Sequence, residues 1–285
     1  MSQLAIISRP ITDSSLAYLL LQNEDHSLEK RLLIEGEPLL IEVCDRNKKH
    51  CVGWYDVATH TNHVCEASRS VETKYDSCFE CRKKTGFNPA FYNASEISSV
   101  QQNYNNKPHS VYVSYFGNGI AKAGIMSDSR GLERLFEQGA LFYCIVGTFE
   151  NADAAHKVEN SLISNGLKNS VTKKQKEKVL SKIFNKYEEL QAFTNILKNL
   201  ELADKQIVSN LDQFFFGNYP SKSIEPIGDN PISGLVRGVM GRYLVLENND
   251  RLYGFWLSDL SGYKVELSKE ISEIKSEAEQ VSLFG

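Results

Sequence analysis

The sequence predicts an α+β protein, with a small antiparallel sheet and flanking helices at its centre and a β-barrel-like sheet near its carboxyl end. Three patterns support this fold class. In residues 109–166, short apolar patterns typical of strands alternate with patterns typical of helices. Residues 172–216 repeat apolar side chains at spacings of three and four, which is typical of helices. Residues 232–267 hold four short β patterns separated by Gly and Asn-Asn-Asp turns.

Composition indicates a soluble globular protein. The 285-residue chain is 41% hydrophobic and 24% charged, and both fractions are ordinary. Its net charge of -4 does not indicate a nucleic-acid binder, although local patches can differ from the total. There is no secretory signal pattern, and the apolar run 16–21 is too short to cross a bilayer. We therefore expect a cytoplasmic protein, whose reduced cysteines serve as metal ligands or core residues.

Changes in composition divide the chain into five segments. In the first of them, apolar runs at 32–34 and 39–41 flank a turn signal, which predicts a hairpin that completes the C-terminal sheet. The five segments are an N-terminal β segment (1–43), a zinc-binding module with its linker (44–107), a central core (108–170), a helical segment (171–227) and a C-terminal β segment with a tail (228–285).

Four cysteines in the second segment have the spacing of a metal site. Cys78 and Cys81 form a CxxC pair, which lets two thiolates bind one ion from a tight turn. Cys51 and Cys65 supply a second, wider pair. Four thiolates suit tetrahedral zinc, and a polar segment with little core of its own would gain folding energy from the metal. The sequence therefore predicts a structural Zn²⁺ held by these four residues.

Other readings of the cysteines stay open at this point. A thioredoxin-like redox pair would follow a strand within a βαβ unit, and the surroundings of the CxxC lack that pattern. Cys44 competes with Cys51 for the first ligand position, but Cys51 is followed by Val52 and Gly53, as in the cysteine-plus-glycine turns common at zinc sites. Three histidines are lesser substitutes as ligands: His50, His60 and His63.

The central segment begins with a strand that carries two tyrosines on opposite faces. Val111, Val113 and Tyr115 share one face, while Tyr112 and Ser114 lie on the other. A Gly-Asn-Gly turn at 117–119 then leads into an antiparallel strand at 120–125. An apolar run at 141–146 predicts a further, buried strand, in which the cysteine is expected to be a core residue.

Two helices are expected between and after these strands. The first is capped by Ser127 or Asp128 and runs through Gln138, with its apolar side chains facing inward. The second is capped by Asn151 or Asp153 and runs to about residue 165.

A carboxylate on the apolar stripe of the second helix is a candidate site residue. Glu159 lies four residues after Ala155 and four residues before Ile163, so the three side chains share one face. Burying a carboxylate is costly unless it is paired or binds a metal. The alternative is a structural salt bridge to Arg130 or Arg134, which lie one helical turn apart on the first helix.

The order of these elements resembles the core of the GIY-YIG nucleases. Residues 111–113 stand where the first motif would be, and residues 122–124 stand where the second would be. Arg134 matches the helix arginine better than Arg130 does, and Glu159 matches the metal-binding glutamate. With the four cysteines, the stretches 111–115, 122–125, 137–140 and 238–246 resemble more specifically a bacterial family of undefined function that joins a four-cysteine zinc site to a GIY-YIG-like core.

The resemblance implies metal-assisted hydrolysis of a phosphodiester. Tyr112 would position or deprotonate the attacking water, with support from Tyr115, and Arg134 would offset charge on the phosphoryl group. Glu159 would hold Mg²⁺ or Mn²⁺. Lys122 stands where the tyrosine of the second motif belongs, so the chain departs from the family pattern there. A lysine cannot replace a phenol at neutral pH, although it can bind phosphate as a point charge.

Two basic stretches favour a nucleic-acid partner. Arg82, Lys83 and Lys84 follow the CxxC, and the stretch 168–186 holds seven lysines against one glutamate. A solvated helix face is the alternative reading of such charges. The sequence therefore predicts a zinc-containing protein that binds DNA or RNA, with metal-dependent endonuclease activity implied by the resemblance. The alternatives are a catalytically inactive nucleic-acid-binding protein and a zinc-stabilised protein-interaction module.

Overall fold

The structure, a computed structural model, is an α+β fold with seven helices and several sheets in the residues that it describes. None of these sheets closes into a barrel, and none of the helices among these residues is long and apolar enough to cross a membrane. The described residues are 2–5, 17–56, 59, 61–85, 97–128, 131, 133–215, 220–228, 231–272 and 274.

The elements follow one another along the chain in this order. The strands are β1 (Gln3–Ala5), β2 (Tyr18–Gln22), β3 (Leu28–Leu32), β4 (Pro38–Val43), β5 (Lys49–His50), β6 (Trp54–Asp56), β7 (Thr61–His63), β8 (Ser70–Val71), β9 (His109–Tyr115), β10 (Ala121–Ser127), β11 (Phe142–Phe149), β12 (Val208–Ser209), β13 (Ile224–Pro226), β14 (Ile232–Met240), β15 (Tyr243–Asn248), β16 (Arg251–Trp256) and β17 (Lys264–Ser268). The helices are α1 (Phe79–Thr85), α2 (Ser99–Asn105), α3 (Glu133–Glu137), α4 (Ala152–Ser164), α5 (Lys173–Leu180), α6 (Lys186–Asn199) and α7 (Leu211–Phe214).

The central sheet has four strands in the order β10-β9-β11-β12, and its neighbouring strands are antiparallel. The expected turn between β9 and β10 is confirmed, since Gly117, Asn118 and Gly119 all have positive φ. The alternation along β9 is also as expected. Val111, Val113 and Tyr115 belong to the largest core cluster, whereas Tyr112 belongs to a separate one on the other face.

The helices around this sheet differ in part from the expectation. Asn151 caps α4, because its side chain accepts a hydrogen bond from the Ala154 amide at 2.9 Å. The helix expected from Ser127 or Asp128 is wrong at its start, since Ser127 is the buried last residue of β10. The linker before β9 contains the helix α2, which is capped by Ser98 and was not expected from the sequence.

The helical segment forms three helices, α5, α6 and α7, in its described residues, and not one continuous stripe. Asn185 accepts a hydrogen bond from the Tyr187 amide at 3.0 Å and so starts α6 as a new helix after α5 ends. The break between α5 and α6 changes which apolar side chains of the segment face the core. Ile183 and Tyr187, which belong to the apolar helical pattern of 172–216, are 78% and 82% exposed, while Phe193 and Leu197 of the same pattern are buried.

The larger sheet has nine strands in the order β13-β16-β15-β14-β4-β17-β1-β2-β3. The N-terminal strands thus complete the C-terminal sheet, as expected, but the sheet is open and not barrel-like. The predicted hairpin between the runs at 32–34 and 39–41 is wrong. β3 pairs with β2, while β4 lies between β14 and β17, because the turn at Gly36 and Glu37 hydrogen-bonds to both backbone groups of Val236.

A test of this packing compares two apolar residues of the helical segment. Leu197→Ala is expected to lower the free energy of unfolding by about 2–5 kcal/mol, because it leaves a cavity in the main core. Ile183→Ala, at an exposed position, should change it by less than about 0.5 kcal/mol. Chemical denaturation measures both values. Equal effects of the two substitutions would contradict the described break between α5 and α6.

Candidate functional site

The cysteine-rich segment is built from two short antiparallel strand pairs and one helix. β5 pairs with β8 and β6 pairs with β7, and the β6–β7 pair is supported by Trp54 and His63, whose rings stack at 4.2 Å. Cys51 directly follows β5, and Cys65 lies two residues after β7. Cys78 and Cys81 lie at the start of α1. Each ligand candidate therefore comes from the end of a short, locally hydrogen-bonded element.

The four thiols form a compact buried cluster. The sulfur atoms of Cys51, Cys65, Cys78 and Cys81 all lie within 4.8 Å of one another, and all four residues are buried. Four sulfurs at about 2.3 Å from one tetrahedral zinc would be about 3.8 Å apart, so the cluster has the right dimensions. None of the described cysteines forms a disulfide. The donor set therefore fits a metal ion that prefers thiolates, such as zinc.

The hydrogen bonds around the cluster favour charge on its sulfur atoms. The Cys51 sulfur accepts from the Cys78 amide at 3.1 Å and from the Gly53 amide at 3.4 Å. Burial nevertheless raises the pKa of the Cys51 thiol to about 11. Burial also opposes ionisation of Cys78, but the Cys81 amide and the neighbouring thiols lower the pKa of Cys78 to about 7. A bound cation would replace the protons of the remaining thiols.

The turn after the first cysteine requires a glycine. Gly53 has a φ of +84°, and a Cβ at this position would lie 1.8 Å from the carbonyl oxygen of His63. This agrees with the cysteine-plus-glycine turn expected from the sequence. Cys44 is exposed and takes no part in the cluster, and Cys144 is a core residue of the central sheet, as expected.

Of the alternative histidine ligands, the two that the structure describes, His50 and His63, do not join the four thiols. His63 stacks on Trp54, and its Nε2 lies 3.1 Å from the hydroxyl of Thr61. His50 is half-buried at the end of β5, and His60 lies outside the described residues.

Sequence reasoning missed Lys49, which is buried and donates to Asp76 at 2.7 Å, so that it ties β5 to the loop before Cys78. No spacing pattern would have indicated that contact.

The two tyrosines of β9 are buried on opposite faces of the central sheet. Tyr112 is 1% exposed, lies against Gly124 of β10, and accepts a hydrogen bond from the Gln138 side chain at 2.8 Å. A Cβ at Gly124 would lie 2.3 Å from the Tyr112 hydroxyl, so this position needs glycine. Tyr115 donates to Glu189 of α6, and burial, together with this bond, raises the pKa of its phenol.

Glu159 lies on the buried stripe of α4, as predicted, and is 8% exposed. Its carboxylate lies 2.7 Å from Nδ1 of His156, a partner that sequence reasoning missed although it lies three residues earlier on the same helix. Of the two predicted salt-bridge partners, Arg130 lies outside the described residues. Arg134 lies near the end of α3 and is half-buried.

The central sheet separates two of the predicted catalytic residues. α4 packs on the face that carries Val111 and Tyr115, whereas Tyr112 faces the opposite side together with Leu135 of α3. Tyr112 and Glu159 thus have different hydrogen-bond partners and lie on different sides of the sheet. Lys122 is on the Tyr112 side, with its Nζ 6.0 Å from the centre of the Tyr112 ring. The tyrosine and the glutamate are therefore not brought to one surface.

The fold and the cluster together define an α+β protein with a four-cysteine site that could hold a metal ion. Residues 41–265 match the family model described as "Protein of unknown function (DUF2797)", and the chain belongs to this family. The match includes all four thiols and the whole central sheet. No curated protein and no solved structure matches the chain. The family description names no activity, so the resemblance to GIY-YIG nucleases stays a prediction.

Metal analysis tests the cluster directly. The purified protein is expected to hold about one zinc ion per chain, and Cys78→Ser should lose most of it, because three thiolates bind zinc less tightly than four. Cys44→Ser, a substitution of an exposed cysteine outside the cluster, is the matched control and should keep its zinc. Chelation should lower the unfolding temperature of wild type. Equal zinc in both variants would rule out the site.

Proposed function

We propose that this protein binds nucleic acid through the zinc-binding module, whose helix α1 presents a basic surface with aromatic side chains. The observation that carries the proposal is the pairing of cations with two aromatic rings on and beside α1, of which Phe79 is exposed and Tyr75 is half-buried. Arg82, Lys83 and Lys84 are all exposed, and Phe79 on the same helix is 58% exposed. This combination of side chains suits a strand of nucleic acid.

The rings and cations of this surface lie in contact. The Lys83 ammonium lies 4.4 Å above the Phe79 ring, and the Arg82 guanidinium lies 4.3 Å above the Tyr75 ring. Lys74 approaches the same tyrosine from 4.9 Å. Cations attract the phosphate backbone, and every base has a face that can stack on an aromatic ring. The surface can therefore offer both kinds of contact to single-stranded DNA or RNA.

The four thiols explain why so short a helix can carry this surface. α1 has seven residues, too few to be stable alone in water. Cys78 and Cys81 would fix its first turn to the metal, and the basic side chains follow directly in sequence. The zinc ion would thus have a structural role, and loss of the metal would release the binding surface.

Metal-assisted cleavage is a second candidate, and it depends on Glu159. A buried carboxylate beside the His156 imidazole offers two groups that bind divalent metals. The separation of Tyr112 from Glu159 by the sheet supports binding over cleavage as the main proposal, because a single phosphate could not contact both residues. The predicted ligand for Mg²⁺ or Mn²⁺ is still Glu159.

Binding can be measured by fluorescence anisotropy with labelled single-stranded and duplex DNA and RNA at several salt concentrations. The triple variant Arg82→Ala, Lys83→Ala, Lys84→Ala should weaken binding to single strands. It should also reduce the slope of log affinity against log salt by about 2, because each lost phosphate contact removes about 0.7. Phe79→Ala should weaken binding without changing that slope, because a lost stacking contact releases no counterion.

A matched control removes the same charge elsewhere. Three exposed cations outside the module are replaced by alanine together: Arg31, Lys198 and Arg251. This control should bind like wild type. If it loses as much affinity as the α1 triple variant, only the net charge matters and the assigned surface is wrong. If wild type binds none of the nucleic acids at low salt, the protein-interaction alternative replaces the proposal.

Cleavage is tested on the same labelled substrates with Mg²⁺ or Mn²⁺. If the family chemistry operates, Glu159→Ala should abolish cleavage while leaving binding intact, because the substitution removes only the metal ligand. Glu189→Ala is a useful comparison, since this carboxylate bonds Tyr115 and has no assigned metal. Cleavage that persists in Glu159→Ala would show that the assignment of this residue is wrong.

A further inference from the structure

A polar cavity lies where the amino-terminal strands of the nine-stranded sheet meet the cysteine-rich segment. It has a volume of about 270 Å³, slightly below the roughly 300–1,000 Å³ of sites for drug-sized ligands, so it suits a smaller molecule. Its walls come from β1, β2, the turn after β2, β17 and the cysteine-rich segment. The lining includes Leu4, Gln22, Glu24, His26, His50 and Lys264.

Three of these residues form a row across three neighbouring strands. Lys264 of β17 is opposite Leu4 of β1, and Leu4 is in turn opposite Gln22 of β2. Residues opposite each other in an antiparallel pair have their side chains on the same face of the sheet. The ammonium of Lys264 and the amide of Gln22 therefore flank the apolar side chain of Leu4, with about 10 Å between the two outer strands.

The turn after β2 is held by its own hydrogen bonds. The amide of Asn23 donates to the carbonyl oxygen of Ser27 at 2.9 Å, and the Asn23 side chain accepts a hydrogen bond from Gln3 of β1 at 2.6 Å. This turn places Glu24 and His26 on the cavity, just beyond the end of β2.

The cysteine-rich segment is fixed against the same sheet. The His50 amide donates at 2.7 Å to the carbonyl oxygen of Gly262, which lies two residues before Lys264. A Cβ at Gly262 would lie 2.5 Å from the carbonyl oxygen of His50, so the two backbones are in close contact. His50 thus lines the cavity from a backbone with little freedom.

The amide of Gln22 is buried without a full set of hydrogen-bond partners. The residue is 5% exposed, and its Nε2 lies 3.0 Å from Nδ1 of His26. Its Oε1 has no hydrogen-bond partner in the part of the chain that the structure describes. A buried acceptor without a donor costs free energy. Because the last torsion of a glutamine is soft, a small turn of the amide would bring this oxygen to a donor in the cavity.

We propose that this cavity binds a small zwitterion, namely a free α-amino acid. Apart from two imidazoles, the described residues that line it carry one ammonium, on Lys264, and one carboxylate, on Glu24. A ligand with a single charge would meet a like charge on one wall. An amino acid instead offers its carboxylate to Lys264 and its ammonium to Glu24 and to the Oε1 of Gln22. Its Cα and side chain would lie over Leu4. The proposal does not depend on the surface on α1.

The ligand class is tested first with the amino acids themselves. Each standard L-amino acid is added in an amine-free buffer at neutral pH, and the unfolding temperature is measured, because a ligand that binds the folded state raises it. We expect at least one amino acid to do so and to bind in calorimetry. Its methyl ester lacks the carboxylate and its N-acetyl form lacks the ammonium, so each should bind about tenfold more weakly. A derivative that binds as tightly as the amino acid would overturn the assignment to a zwitterion.

Substitutions at the two charged positions test each end of the ligand. Lys264→Met and Glu24→Gln should each weaken binding about tenfold, because each removes one charge-assisted hydrogen bond. Both side chains are exposed, so both variants are expected to fold. The matched controls are Glu266→Gln on the same strand and Lys269→Met directly after it, at exposed positions that do not line the cavity. Both controls should bind like wild type.

Gln22→Met tests the buried amide, since it keeps the length of the side chain. It should weaken binding without lowering the unfolding temperature of the ligand-free protein, because the amide that it removes has an unsatisfied oxygen. A purely structural glutamine would show the reverse, with a lower unfolding temperature and unchanged binding.

The proposal is overturned if no amino acid binds wild type, or if Lys264→Met and Glu24→Gln bind the same amino acid as tightly as wild type does. Because the α1 triple variant leaves the cavity intact, it should still bind the amino acid. Failure of this proposal is therefore distinguishable from failure of the nucleic-acid proposal.

Discussion

Burial of β9 on both faces is the constraint on which the rest of the structure depends. All seven residues of this strand are buried, with one face against α4 and α6 and the other against α3. A strand buried on both sides must satisfy every backbone group within its sheet, and β10 and β11 do so on either side. Its polar side chains then need partners as well. Gln138 provides one for Tyr112, and Glu189 provides one for Tyr115.

That constraint also determines which chemistry the central sheet can offer. A shift of the register by one residue would exchange the two faces, so the positions of Tyr112 and Tyr115 are fixed by the packing of their neighbours. Each hydroxyl already has a hydrogen-bond partner in the protein. The side of the sheet that carries Tyr112 has charged neighbours, which include Lys122 and Lys176 of α5. The side that carries Glu159 is covered by α4 and α6. The cysteine module depends in contrast on its own four sulfurs, since it has almost no other core.

Local patterns in the sequence predicted much of the fold and of the candidate site. The alternation along β9, the Gly-Asn-Gly turn, the apolar stripe with Glu159 and the grouping of four cysteines were all visible, because each depends on neighbours within a few residues or on a specific residue type. Contacts distant in sequence were not. The expected N-terminal hairpin is replaced by pairing of β4 with β14, and Tyr115 finds its partner in Glu189 of α6. Both contacts join segments that meet only after folding.

In the part of the chain that the structure describes, the open sheet ends in two edge strands, and their composition bears on edge-to-edge association. β3 at one edge is exposed along its whole length and carries Glu29, Lys30 and Arg31 in succession. β13 at the other edge is only three residues long and ends in Pro226. Charged side chains and a proline both discourage the addition of a strand from another molecule. These two edges therefore allow a nine-stranded sheet to remain open without polymerising edge to edge.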